Sequence, residues 1–176
     1  MIRKSFRLGL AAALCAAGLV GQAPARADGS TGTAQAEARA RAVPQRLQIP
    51  KLGTDAAVVR VPVRNDTLAV GDRLDNAVYT WSKGDPPCDQ TGSTLYAGHA
   101  WRGGNGVADR WHTLRKGDRV SVGGCRFVVT SREYWPASRR MGALYSPHGP
   151  ARIVLVGCKH DDYSKRVVVF ALKVGR

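Results

Sequence analysis

Residues Ile153 to Phe170 read IVLVGCKHDDYSKRVVVF. The runs Ile153–Val156 and Val167–Phe170 are short, rich in β-branched residues and bounded by polar sequence, the pattern of buried strands. The polar segment between them is short enough to fold the second run back beside the first. Cys158 falls where the first strand ends, and Arg166 falls where the second begins. As neighbours they would set a thiol beside a permanent positive charge at one edge of a sheet. That arrangement suits acyl transfer by a sulfur nucleophile. A cysteine closing an apolar strand also serves as a small buried hydrophobe, so the strand pair alone leaves both roles open.

Upstream of this pair the chain alternates strand-like runs with turn signals, which predicts an all-β sandwich or barrel. The runs are 46–52, 56–63, 67–70 and Thr94 to Ala97, with 76–81 readable as strand or helix. Residues 83–93 and the glycine-rich 101–106 are loops. Val107, Trp111 and Leu114 share one face at i, i+4 and i+7, so 107–114 is expected to be a short helix. Lys116-Gly117-Asp118 makes a turn. The runs 119–122 and 125–131 flank Gly123-Gly124 as a hairpin. A long connection, about 135–150, leads back to the opening stretch.

The N-terminus is of a different kind. Arg3, Lys4 and Arg7 precede an apolar run from Leu8 to Val20, and Ala25-Arg26-Ala27 fits a small-x-small cleavage site. Residues 1–27 are expected to act as a signal peptide or an N-terminal membrane anchor. The run is short for a span of about 20 residues, which favours cleavage before Asp28. Residues 28–43 contain no large apolar side chains and form a flexible spacer. Residues 44–176 are one domain's worth of sequence. The domain is therefore expected to work outside the cytoplasm, at the cell surface or secreted.

The net charge of +14 would suit polyanions. No basic run interleaved with aromatics offers a base-stacking surface, so nucleic acid is not expected. For an exported chain the polyanions are lipid head groups and wall polymers.

Of the four cysteines, Cys15 belongs to the leader. Cys88 follows Pro86-Pro87 and Cys125 follows Gly123-Gly124, both in loops, while Cys158 ends a core-like strand. In an oxidising compartment this favours a Cys88–Cys125 disulfide and leaves Cys158 as the odd thiol. His99 is the histidine best placed to assist it, because it ends a strand, follows a glycine and faces a flexible loop. His112 is expected on the solvent side of the helix. Cys158, His160, Asp161 and Asp162 do not form a zinc spacing with a second ligand pair, and no metal or other cofactor is expected.

The order of these parts is specific. A strand carrying LYAGH (95–99) is followed by a glycine-rich loop, the segment VADRWHTL, a Lys-Gly-Asp turn before Arg119-Val120, and a hairpin. Then come VGC at 156–158 and KRVVVFA at 165–171. Over about residues 44–176 this resembles the sortase family of Gram-positive bacteria, the actinobacterial class E and F types most. The resemblance implies an eight-stranded β-barrel with one or two short helices, and a catalytic triad of His99, Cys158 and Arg166. It implies a cysteine transpeptidase. The thiolate attacks a Thr–Gly-like bond in an LPxTG-like C-terminal sorting signal of a secreted protein. A thioacyl-enzyme forms, and an amine of the cell wall or a pilin resolves it. One departure stands out. The family usually reads TLxTC, whereas residues 154–158 here read VLVGC, so the threonine hydroxyl directly before the nucleophile is missing.

Two other functions fit parts of the sequence. An L,D-transpeptidase-like wall cross-linking enzyme also carries Gly-Cys, in a Ser-His-Gly-Cys run with an arginine two residues on. Leu155, Val156 and His160 stand at those three positions instead. A secreted, disulfide-stapled β module binding anionic wall polymer would leave Cys158 buried and His99 incidental.

Overall fold

A computed structural model describes residues 45–65, 67–71 and 76–175. The expectations for residues 1–27 and 28–43 lie outside the described residues. The described residues form ten strands: β1 (Arg46–Ile49), β2 (Thr54–Val61), β3 (Val63–Arg64), β4 (Thr67–Leu68) and β5 (Ala77–Trp81), then β6 (Ser93–Gly98), β7 (Arg119–Val122), β8 (Cys125–Pro136), β9 (Arg152–Lys159) and β10 (Asp162–Lys173). Eight of them close into a barrel in the order β1-β2-β5-β6-β9-β10-β8-β7, and β3 and β4 form a separate two-stranded ribbon. Pairings β2–β5 and β6–β9 are parallel; the other barrel pairings are antiparallel. This is the eight-stranded, all-β barrel that the motifs implied.

β9, paired with β6 and β10, is buried on both of its faces. Ile153 and Leu155 point into the barrel with Leu47, Tyr96, Phe127 and Val167. Val154 and Val156 belong to a second cluster on the outer face, with Leu95, Trp135, Leu144 and Val168. A two-sided strand has no polar alternation to show, which is why the run is continuously apolar. Each such side chain contributes roughly 1.5–3 kcal/mol on burial.

Several expectations are corrected. β1 stops at Ile49, because Pro50 has no N–H for the ladder and opens a 3-10 turn, Pro50–Leu52. Residues 77–81, readable as strand or helix, are strand. β8 runs on to Pro136, since its exposed stretch from Ser131 to Tyr134 still pairs through its backbone with β10. No α-helix occupies 107–114; a turn leads into a 3-10 helix, Trp111–Thr113. Its bonds run i to i−3, Trp111 to Ala108 and Leu114 to Trp111. That pitch puts Ala108, Trp111 and Leu114, all buried, in one row at a spacing of three. The Gly123-Gly124 hairpin forms as expected. Both glycines have positive φ (59° and 84°), as a two-residue primed turn requires. Cys88 and Cys125 are joined in a disulfide, and Cys158 is free.

Candidate active site

Parallel pairing of β6 with β9 sets Gly98 opposite Gly157. Neighbouring strands lie about 4.8 Å apart, so the next residues, His99 and Cys158, leave the same end of adjacent strands. The segment 107–111 explains both glycines. A Cβ on Gly98 would fall 2.8 Å from Trp111 Cη2 and 2.7 Å from Val107 Cγ1. A Cβ on Gly157 would fall 2.5 Å from the Ala108 Cβ and 3.4 Å from Trp111 Cε3. The position that is usually threonine therefore faces the barrel interior.

On the other side of β9, Arg166 of β10 is the direct register partner of Cys158. Its Nη1 donates to Cys158 Sγ at 3.1 Å. An irregularity between Asp162 and Arg166 sets this register. Lys165, the neighbouring cation, turns away to Asp162 at 3.1 Å. A planar guanidinium is always charged and carries several donors, so one N–H can hold the sulfur while others remain for a second acceptor.

His99 is held on three sides. Its Nε2 lies 2.6 Å from the Gly71 carbonyl oxygen. A carbonyl only accepts, so Nε2 carries a proton and Nδ1 is the nitrogen left for proton exchange. Trp101 stacks on the ring at 4.8 Å with planes 28° apart, and Tyr79 meets it edge-on at 5.9 Å.

A groove of about 440 Å³ lies along the outer face beside Arg166. Leu95, Ala97 and Val156 line it from β6 and β9. One wall is the β3–β4 ribbon with Val70, and the other is residues 137–141 with Tyr145. It is open and mixed in character, apolar along β6 and β9 and polar at Asn65, Thr67, Arg139 and Arg140. Among the described residues, no group of three His, Cys, Asp or Glu side chains could hold a metal ion.

The structure thus brings Cys158 and Arg166 into contact and sets His99 at the adjacent strand end. His112 is half-buried rather than solvent-facing; its Nδ1 lies 2.9 Å from the Asp109 carbonyl oxygen. Gly71, Trp101, Tyr79 and both groove walls escaped the sequence. Only Trp101, two residues after His99, carried a signal that could have been followed.

A family model for the sortase domain matches residues 47–174. Among solved structures, sortase A of Listeria monocytogenes is 19% identical, with 76% of this chain and 88% of that chain covered and a TM-score of 0.59. Sortase C-1 of Actinomyces oris is 18% identical, with 83% and 84% covered and a TM-score of 0.63. A sortase D5 transpeptidase of Clostridium perfringens is 16% identical, with 79% and 89% covered and a TM-score of 0.61. At these identities the likeness is one of fold. No curated protein matches the chain by sequence.

Proposed function

The chain belongs to the sortase family of cysteine transpeptidases, and from that premise we propose that it cleaves an LPxTG-like C-terminal sorting signal and passes the acyl group to an amine. The observation that carries this is the 3.1 Å contact between Arg166 Nη1 and Cys158 Sγ beside a groove of about 440 Å³ that Arg166 lines.

The sorting peptide lies in the groove with its scissile carbonyl at Cys158. The thiolate attacks that carbon. Arg166 then turns its donors from sulfur, which loses its charge on acylation, to the carbonyl oxygen, which gains it. His99 gives the Nδ1 proton to the departing amine, because an amide nitrogen does not leave as an anion. The imidazole regains a proton from the incoming amine as that amine attacks the thioester. The acceptor is an amine of a wall peptide or of a pilin lysine. The setting in this reading is the cell surface, with residues 1–27 serving as signal or anchor, and the likeness of the sequence to class E and F types supports that subclass. Family membership removes the L,D-transpeptidase alternative.

Mass spectrometry tests this. The protein and its Cys158→Ala variant are incubated with LPxTG-like peptides. A peptide adduct on Cys158, absent from the variant and released by an added amine, is expected. No adduct with any peptide, together with a thiol inert to alkylation in the folded protein, refutes it and returns the polymer-binding module.

A further inference from the structure

One buried carboxylate closes the loop that follows His99. Asp109 is 6% exposed. Its Oδ1 accepts the Trp101 N–H at 2.6 Å, and its Oδ2 accepts the Gly106 N–H at 2.8 Å. The main chain completes the ring. The Ala108 N–H donates to the His99 carbonyl at 2.9 Å, and the Asp109 N–H donates to the Gly106 carbonyl at 3.1 Å. The return is so tight that a Cβ on Gly106 would lie 2.4 Å from the His99 carbonyl oxygen and 2.7 Å from Asp109 Oδ1. Trp101, whose N–H the carboxylate holds, is the residue that stacks on His99.

The same carboxylate faces the loop that follows the nucleophile. His160 Nδ1 is 4.0 Å from Asp109 Oδ1 and has no hydrogen-bond partner among the described residues. The His160 ring is also met by Asp161, 3.4 Å from Nε2, and by the parallel ring of His112 at 6.4 Å. Asp109 therefore stands between the chain segments that leave His99 and Cys158.

We propose that Asp109 is a positioning residue of the transpeptidase: it fixes Trp101, and through that indole it sets the plane in which His99 presents its proton. This rests on His99 being the proton donor of the proposed reaction. Two convergent N–H donors need a group that only accepts, and a carboxylate supplies two such oxygens. An asparagine would turn an NH₂ toward one of them, release that backbone group and let the loop relax.

The test compares the full-length wild type with Asp109→Asn, Trp101→Ala and the double variant. The first readout needs no turnover: the His99 ring-proton resonances, assigned by their loss in His99→Gln. In Asp109→Asn they should move toward their values in Trp101→Ala, while the methyl resonances of the barrel core stay in place. The second readout is kinetic. In each single variant kcat should fall roughly 10- to 100-fold, the scale of a misplaced reacting group, while KM for the sorting peptide holds, because the groove lies elsewhere. The double variant should be no worse than the poorer single one, since both changes act through one contact. Wild-type His99 resonances in Asp109→Asn overturn the proposal, and so do losses that multiply in the double variant. A wild type that neither acylates nor turns over refutes the functional reading instead, and the His99 resonances still decide the role of Asp109.

Discussion

Restoring the family's usual threonine at position 157 should damage this protein. In Gly157→Thr the new Cβ would lie 2.5 Å from the Ala108 Cβ, with the Gly98 carbonyl oxygen at 3.3 Å and Trp111 Cε3 at 3.4 Å. Carbon atoms in contact settle at about 3.5–4.0 Å, so β9 and residues 107–111 must part by about 1 Å. The Ala108 methyl cannot rotate away, since a Cβ moves only with its backbone. That backbone is tied to the His99 carbonyl at 2.9 Å. Overpacking costs about 1–3 kcal/mol; with no flexible neighbour to yield, about 3 is expected. For a domain of this size that lowers Tm by roughly 10 °C. Acylation should slow as well, because the displaced residue is the one before Cys158. The assay is a thermal melt of wild type, Gly157→Ala, Gly157→Thr and Gly157→Ala with Ala108→Gly. Gly157→Ala should lose nearly as much as Gly157→Thr, since the clash is at Cβ. Removing the opposing methyl should recover part of it. A Gly157→Thr protein that melts at the wild-type temperature and acylates faster would refute the reasoning, because its side chain would then face the peptide rather than the barrel.

Arg166→Lys keeps the charge but loses the planar fork, so single-turnover acylation should fall by roughly 10²-fold or more; a variant that keeps most of its rate would remove guanidinium geometry from the mechanism. Burial pushes the Tyr96 hydroxyl well above the usual tyrosine range, and that hydroxyl has no hydrogen-bond partner among the described residues. Tyr96→Phe should therefore be neutral or stabilising by about 1 kcal/mol in a denaturant titration, and a clear loss would show that the hydroxyl is satisfied. Burial raises the Asp118 carboxyl, but Lys51 at 2.7 Å and the Arg115 N–H at 2.7 Å outweigh it and hold it below the usual carboxylate range. A depressed folded-state value stabilises above the unfolded one, near 3.9, and the contribution is lost as pH falls through the folded value. The Tm gap between wild type and Asp118→Asn should be open at pH 7 and close below about pH 4; a constant gap would refute the ion pair's part.

What the sequence showed and what it hid divide along one line, whether a contact depends on neighbours in the chain or on the barrel's register. β9 and β10 were legible because two-sided burial writes a continuous apolar run, and a short polar loop makes their pairing local. That pairing alone brings Arg166 to Cys158. The hairpin was legible for the same reason, as two glycines in a row select its turn. The groove was not. Its walls, the β3–β4 ribbon and residues 137–141, reach β6 and β9 only through the order in which the strands close. Asp109 was hidden by a wrong period. A 3.6-residue period puts Val107, Trp111 and Leu114 on the apolar face and leaves Asp109 to solvent, whereas the turn that precedes the 3-10 helix aims its carboxylate in toward Trp101 and Gly106. The two glycines are the most instructive case. Gly98 precedes His99 and Gly157 precedes Cys158, so the same dipeptide pattern occurs 59 positions apart, the offset between the paired residues. Sequence offers no reason for either glycine. Once the register sets them side by side, one short segment fills the space of both missing side chains, with Val107 and Trp111 against Gly98 and the Ala108 methyl against Gly157. Trp111 then supports, from inside the barrel, the two strand ends that carry the proposed acid and nucleophile.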